Sequence, residues 1–127
     1  MSEKIKVLVV EDNDFVRMQI VKFLREDGYE VFEAVEGEAA LDMMAAHDDM
    51  ALAVVDIRME PVGGFEFVQV LRGRNIDMPV IFVTGDDTSD VLQKSGKLGG
   101  AAVLMKPVMK ERLLQMAGRV TGMKRKA

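Results

Sequence analysis

The 127-residue sequence predicts an α/β fold, because short apolar runs alternate with segments of helical spacing along the whole chain. Runs rich in Val and Ile occupy residues 5–10, 51–55 and 80–83, and a polar residue follows each of them. Such uninterrupted runs are typical of parallel strands that are buried on both faces. Residues 30–35 and 101–105 are weaker strand candidates, so the chain predicts five successive strand-helix units.

The segments between the strands predict helices on both faces of a doubly wound sheet. In the first segment, apolar residues recur at intervals of three, at Phe15, Met18, Val21 and Leu24. Glycines mark the boundaries of the predicted helices: Gly28 follows the first, Gly37 precedes the second and the pair Gly63-Gly64 precedes the third. Right-handed crossovers then join the strands into one five-stranded parallel sheet.

Composition predicts a single soluble globular domain. Hydrophobic residues make up 49% of the chain and charged residues 30%, and no repeat or linker divides it. The absence of cysteine excludes a disulfide framework, a thiol nucleophile and a Cys-built zinc site, and it fits a reducing compartment. No run resembles a signal peptide or a membrane span. We therefore expect one cytoplasmic domain over residues 1–127, with loose termini at about 1–4 and 123–127.

The charge of the chain argues against nucleic-acid binding. The net charge is −4 and the pI is near 5.0, so a broad basic face is not expected. The basic end, Lys124-Arg125-Lys126, is interpreted as a solvated terminus. The sequence therefore predicts no contact with nucleic acid or with a membrane.

Four of the predicted strands end in polar residues that carry chemistry. The first ends in Glu11-Asp12, the third in Asp56, the fourth in Thr84 and the fifth in Lys106. In an open parallel sheet, ligands bind outside the carboxyl ends of the strands. If the strand order is the flavodoxin-like 2-1-3-4-5, these four strands are neighbours and their terminal side chains converge on one site.

The predicted charges indicate what such a site would hold. Carboxylates about 4 Å apart repel by roughly 4 kcal/mol at an effective dielectric constant of about 20, so a positive partner is required. Carboxylate oxygens favour Mg²⁺, and Lys106 supplies a second positive charge. A carboxylate, a hard cation, a lysine and a hydroxyl are the groups that move a phosphoryl group. Asp56 is the candidate nucleophile.

Each of these residues also has a purely structural interpretation. Glu11-Asp12 followed by Asn13 fits a solvated loop with a helix cap, and Asp56 fits a turn. Thr84 likewise fits a turn or a helix cap, and Lys106-Pro107 fits a surface lysine before a kink. The combination at four strand ends is what favours a common site.

The same residues resemble the receiver domains of bacterial response regulators, over nearly the whole chain. The matching segments are residues 9–13, residues 55–59 with Gly64-Phe65-Glu66 downstream, residues 83–85 and Lys106-Pro107. The resemblance implies that Asp56 accepts the phosphoryl group and that Thr84 and Lys106 contact its oxygens. It also implies a cis bond between Lys106 and Pro107.

The resemblance further implies a Mg²⁺ site. Its ligands would be Glu11, Asp12 and Asp56, together with the backbone carbonyl of Arg58. Arg58 and Asp86 lie two residues beyond Asp56 and Thr84, where an ion pair would shield the phosphoryl group from water; a solvated pair is the alternative.

The sequence departs from the family pattern at several positions. Val103 stands three residues before Lys106, where the family typically has Tyr or Phe. Gly85 follows Thr84 where Ala is common, and Pro61 is displaced along the loop after Asp56. Because Val103 has no ring to rotate, we expect the loop between the fourth strand and the fourth helix, residues 84–89, to carry the signal.

The resemblance implies partners, and from the length of the chain we expect no separate output domain. The phosphodonor would be a histidine kinase or a phosphotransfer protein, and the chain would catalyse only its own phosphorylation and dephosphorylation. A downstream protein would dock on the fourth helix, fifth strand and fifth helix, a face that includes Lys97, Val103, Met105 and residues 109–122. A monomer or a weak, activation-dependent dimer is expected.

Three other functions compete with this hypothesis. A phosphohydrolase of the haloacid dehalogenase type would need a second Asp two residues after Asp56, where Arg58 stands. A nucleotide-binding module would need a glycine-rich phosphate loop, and neither of the usual patterns occurs. A receiver fold used as a phosphorylation-independent binding module is favoured by Val103 and disfavoured by the intact set of site residues.

Overall fold

The predicted alternation of strands and helices is confirmed in a computed structural model, which describes residues 4–85 and 89–123. The elements are β1 (Lys6–Val10), α1 (Asp14–Glu26), β2 (Glu30–Ala34), α2 (Gly37–Ala46), β3 (Leu52–Asp56), α3 (Gly64–Gly73), β4 (Val80–Thr84), α4 (Ser89–Lys97), β5 (Ala102–Met105) and α5 (Lys110–Thr121).

The five strands form one parallel sheet in the predicted order, β2-β1-β3-β4-β5. Val10 pairs with Val55, Asp56 with Val83 and Thr84 with Met105. This register aligns the carboxyl ends of β1, β3, β4 and β5 along one edge of the sheet. The topology thus brings together the four strand ends that carry the candidate residues.

Two apolar layers sandwich the sheet. Val and Ile side chains alternate between the two faces of β1, β3 and β4, and every residue of β3 and β4 is buried. On one face they pack against residues of α1 and α5, such as Leu24 and Leu113. On the other face they pack against α2 and α3, where Phe67 and Leu71 are fully buried. The sheet is therefore covered on both faces, as the apolar runs predicted.

The structure shifts several predicted boundaries. Asp56 and Thr84 are the last residues of their strands, and Gly37 and Gly64 are the first residues of their helices. The last helix spans 110–121, because Met109 and Gly122 cap it and are not part of it. The Lys106–Pro107 bond is cis, as expected, and Glu60–Pro61 is cis as well.

The interval of three in α1 does not mark a buried face. Phe15 and Met18 are 73% and 65% exposed, whereas Val21 and Leu24 are buried together with Ile20. Each step of three falls about 60° short of a full turn at 3.6 residues per turn. Phe15 and Leu24 therefore lie on opposite sides of the helix. Within the described part of the chain, no helix has the length and apolar character to cross a membrane.

Candidate functional site

Glu11 is a buried carboxylate at the end of β1. Only 1% of it is exposed, and its backbone N–H donates to the carbonyl of Ala34 at 3.1 Å, which continues the pairing of β1 with β2. The N–H of Asn13 donates to Glu11 Oε2 at 3.0 Å. Asn13 also caps α1, accepting from the N–H of Val16 at 3.0 Å. The turn that starts α1 therefore fixes the Glu11 carboxylate.

Asp56 completes a group of three carboxylates. It is 5% exposed, and its Oδ1 accepts from the N–H of Arg58 at 3.4 Å. One carboxylate oxygen from each of Glu11, Asp12 and Asp56 lies within 4.8 Å of the other two. Asp12 is exposed while the other two are buried. The cluster therefore opens to solvent on the Asp12 side.

Lys106 approaches the two buried carboxylates. Its Nζ lies 3.0 Å from Glu11 Oε1 and 3.4 Å from Asp56 Oδ1. Its backbone N–H donates to the carbonyl of Thr84 at 2.8 Å. This hydrogen bond continues the pairing of β5 with β4 and thereby positions Lys106. Thr84 itself is 2% exposed. The structure thus brings Glu11, Asp12, Asp56 and Lys106 together and places Thr84 at the neighbouring strand end.

The pKa shifts follow from burial and charge. Burial raises the pKa of Glu11 to about 7. The hydrogen bond from the Asn13 N–H and the contact with Lys106 oppose this rise, because both favour the charged carboxylate. Burial also raises the pKa of Asp56, although Lys106 opposes it. For Lys106, burial lowers the pKa, but the contacts with Glu11 and Asp56 outweigh it and the net shift is upward. The one lysine therefore stabilises, but does not fully neutralise, the acidic cluster.

The cluster fits a hard divalent cation. Oε1 of Glu11 is buried, and within the described ranges it has no hydrogen-bond partner although Lys106 is close enough for an ion pair. Three carboxylate oxygens within 4.8 Å are a suitable donor set for Mg²⁺, which binds through a few carboxylates and keeps several waters. Beside the cluster is an open cleft of about 580 Å³, lined by Asp12, Arg58, Met59 and Glu60.

Comparison with known proteins identifies the family from the sequence. The pattern of the response regulator receiver domain matches residues 7–118. The chain belongs to this family. Receiver domains bind Mg²⁺ at an acidic pocket and interact with histidine kinases or phosphotransfer proteins, and this receiver domain has the corresponding acidic cluster.

Individual relatives agree with the assignment. The receiver domain is 34% identical over 110 residues to the response regulator MprA of Mycobacterium tuberculosis, covering 87% of this chain and 47% of that protein. It is 31% identical over 107 residues to a cyclic di-GMP phosphodiesterase of Thermotoga maritima, covering 84% of this chain and 28% of that protein. The chain thus spans less than half the length of either relative.

A solved structure is also similar to this receiver domain. Chemotaxis protein CheY4 of Vibrio cholerae superposes with a TM-score of 0.87 at 29% identity, covering 93% of this chain and 99% of that one. The similarity extends over nearly all of both chains.

Two positioning features of the receiver domain were missed by sequence reasoning. The sequence marks Gly64 as a helix boundary and as part of the family match, without a packing role, but a Cβ there would collide with the carbonyl oxygen of Asp56. Arg17 donates from Nη1 to the Glu11 carbonyl at 2.9 Å and pairs with Asp14 at 2.7 Å and Glu33 at 3.2 Å. The i,i+3 spacing from Asp14 was the only signal for Arg17 in the sequence.

Several predictions about this site stay predictions. The roles assigned to Thr84 and to the Arg58 carbonyl concern a bound phosphoryl group and metal. Asp86, the expected ion-pair partner of Arg58, lies outside the described residues, as do residues 87 and 88 of the loop expected to carry the signal. The basic end at 124–127 and residues 1–3 are also outside the described ranges.

Proposed function

We propose that this receiver domain is a signalling switch that accepts a phosphoryl group on Asp56. The observation that supports this most directly is the convergence of three carboxylates and one lysine, with Lys106 Nζ 3.4 Å from Asp56 Oδ1. Glu11, Asp12 and Asp56 would hold Mg²⁺ together with the backbone carbonyl of Arg58. When bound, this ion neutralises carboxylate and phosphoryl oxygens.

The residues of the chain have distinct roles in the transfer. A carboxylate oxygen of Asp56 attacks phosphorus and forms the P–O bond of an acyl phosphate. The bond between phosphorus and the leaving group breaks, and its electron pair departs with the histidine nitrogen of the donor. Lys106 balances the negative charge on the phosphoryl oxygens, and the Thr84 hydroxyl donates to one of them. Water later hydrolyses the acyl phosphate, and no outside substrate is turned over.

The donor is proposed to be a histidine kinase or a phosphotransfer protein, and the site is proposed to work in the cytoplasm. The whole chain, residues 1–127, is proposed to act as one domain, as a monomer or a weak activation-dependent dimer. Its signal would leave by protein docking.

The proposed docking face for the target comprises α4, β5 and α5. Met105 and Met109 are 42% and 61% exposed, and a groove of about 370 Å³ runs beside them from Val103 to Arg112. Residues 90–127 contain nine basic residues (Lys and Arg) and two acidic ones (Asp and Glu). Residues 1–89 contain eight basic and nineteen acidic residues. A target with an acidic, partly apolar surface would complement this face.

A phosphorylation-independent binding module is the second candidate. Val103 favours it, because this half-buried side chain packs against the apolar cluster around Phe82 and has no ring to swing inward. The three carboxylates favour the phosphorylated switch.

Intact-mass measurement after incubation with acetyl phosphate tests the proposal. We expect addition of one phosphoryl group that requires Mg²⁺ and disappears in Asp56→Asn. Asp42→Asn, at an exposed position of α2, is the matched control and should be labelled like the wild type. Failure of the folded wild type to gain mass with acetyl phosphate or phosphoramidate would favour the binding module.

A further inference from the structure

We propose that Phe65 couples the Asp56 site to helix α4, so that a change at Asp56 moves α3 and reaches α4 through the Phe65 ring. This inference rests on the proposed function of Asp56 as the acceptor. It is carried by the packing between the start of α3, the middle of β4 and the body of α4.

The first link joins Phe65 to the site. Phe65 follows Gly64, whose N–H donates to the carbonyl of Ile57 at 3.0 Å. A Cβ at Gly64 would collide with the carbonyl oxygen of Asp56 and would lie 2.9 Å from Val55 Cγ1. The start of α3 therefore packs directly on the Asp56 backbone. A shift of that backbone toward α3 would press on Gly64 and displace its neighbour Phe65.

The second link joins Phe65 to β4 and α4. Its ring packs edge-to-face on Phe82, with centroids 5.0 Å apart and planes at 65°. On α4, Lys94 places its Nζ 5.2 Å from the centroid of the same ring, within the range of a cation–π contact. Phe65 thus contacts a fully buried strand residue and a helix that lies at the surface.

The third observation is that α4 lies at the surface and is held at its C-terminal end. All nine of its residues are described, and only Ser95 is buried. After the helix, the Leu98 carbonyl accepts from Arg72 Nε at 2.8 Å, and the N–H of Gly100 donates to the Ser95 carbonyl at 2.8 Å. These contacts hold the C-terminal end of α4. Because its C-terminal end is held in this way, α4 can respond to a small displacement of Phe65 by rotating about that end.

The coupling acts in both directions. A partner that binds α4 in one arrangement shifts the same equilibrium at Asp56, because coupling free energies are reciprocal. Phe65 would then decide how strongly partner binding and phosphorylation favour each other.

The test compares amide chemical shifts with and without Mg²⁺ and beryllofluoride, which stands in for the phosphoryl group. In the wild type, we expect shifts near Asp56 and across residues 91–97 of α4. Phe65→Leu keeps an apolar side chain but removes the ring. It should retain the shifts near Asp56 while the mean shift over 91–97 falls to less than half of the wild-type value.

Phe23→Leu is the matched control, because Phe23 lies under Lys110 at 5.9 Å on the opposite face of the sheet. It should keep the full response at α4. If Phe65→Leu does not fold, Lys94→Met decides, since it removes only the cation from an exposed position. A loss at α4 in that variant supports the coupling, and an unchanged response overturns it.

The other outcomes separate the two proposals. Retention of more than half of the α4 response in Phe65→Leu, or loss of the shifts near Asp56 in that variant, overturns the coupling role. Wild-type shifts near Asp56 without any at α4 overturn the coupling while leaving Asp56 as the acceptor. Absence of wild-type shifts near Asp56 contradicts the proposed function itself.

Discussion

At the scale of single residues, the site depends on burying two carboxylates beside one lysine. Glu11 and Asp56 are 1% and 5% exposed, and Lys106 contacts both. Burial penalises the charged form of each acid, which explains why both pKa values rise despite the lysine. The site therefore costs stability in the absence of a cation, as is common where function requires like charges to converge.

This cost predicts a pH-dependent stability. Because the pKa of Glu11 rises from 4.5 to about 7, the folded state holds a proton that the unfolded state releases between those pH values. Without Mg²⁺, the free energy of unfolding should therefore fall as pH rises through this window. The contribution is ~3 kcal/mol at about 1.4 kcal/mol per pKa unit.

Urea denaturation at about pH 5 and about pH 8 measures this effect. Glu11→Gln should flatten the dependence and make the protein more stable than the wild type at the higher pH. The acids away from the site are common to both proteins, so the difference between the two curves reports Glu11 together with its effect on the neighbouring Asp56. Parallel curves would show that folding does not raise the pKa of Glu11.

The metal ligands give a second prediction at this scale. Glu11→Gln combined with Asp12→Asn removes two of the three converging carboxylates, so Mg²⁺ affinity should fall at least tenfold, about 1.4 kcal/mol. Isothermal titration measures the affinity, and circular dichroism checks the fold. Glu38→Gln with Asp42→Asn, at two exposed positions of α2, is a control pair of equal charge change. Unchanged affinity in the site variant would remove both residues from the Mg²⁺ site.

At the scale of elements, the close seating of α3 on β3 positions the acceptor. Gly64→Ala would drive a methyl group into the Asp56 carbonyl, so we expect a loss of about 1–3 kcal/mol in the free energy of unfolding. Gly73 is the matched control at the other end of α3, because nothing lies within 4 Å of its added Cβ. Gly73→Ala should be neutral or stabilise by up to about 1 kcal/mol.

Chemical denaturation of the two glycine variants measures this difference. Equal stabilities for Gly64→Ala and Gly73→Ala would mean that α3 can move away from β3, contrary to the tight packing described for Asp56.

The elements also show where sequence reasoning succeeds and where it stops. The strand ends at Glu11, Asp56, Thr84 and Lys106 were predictable, because strand position in a parallel sheet fixes which residues share an edge. The tight packing around Gly64 was not predictable, because a close approach of two backbone segments leaves no periodic pattern in the sequence. The exposure of Phe15 was missed because the nine residues from Phe15 to Leu24 make two and a half turns of α1, which places Phe15 opposite the buried Leu24.

At the scale of the whole molecule, charge is separated along the chain. The acidic excess of residues 1–89 outweighs the basic excess of residues 90–127, giving a net charge of −4. Each of the five described helices belongs to one strand-helix unit, so none is left over for a helix-turn-helix. We therefore expect no nanomolar binding to a defined DNA duplex at about 0.15 M salt.

Fluorescence anisotropy with labelled duplexes tests this expectation. Weak binding at low salt that vanishes as salt rises would reflect the basic end and is compatible with the account. Tight binding that distinguishes one sequence from another would contradict it.

The acceptor role of Asp56 is tested most directly by mapping the phosphorylated residue. After treatment with acetyl phosphate and Mg²⁺, borohydride reduces an acyl phosphate to an alcohol, which converts a phosphorylated aspartate into homoserine. Peptide mass spectrometry should find this conversion at Asp56 alone, and chelation of Mg²⁺ should abolish it. Conversion at Asp12 or another carboxylate, with Asp56 intact, would contradict the account.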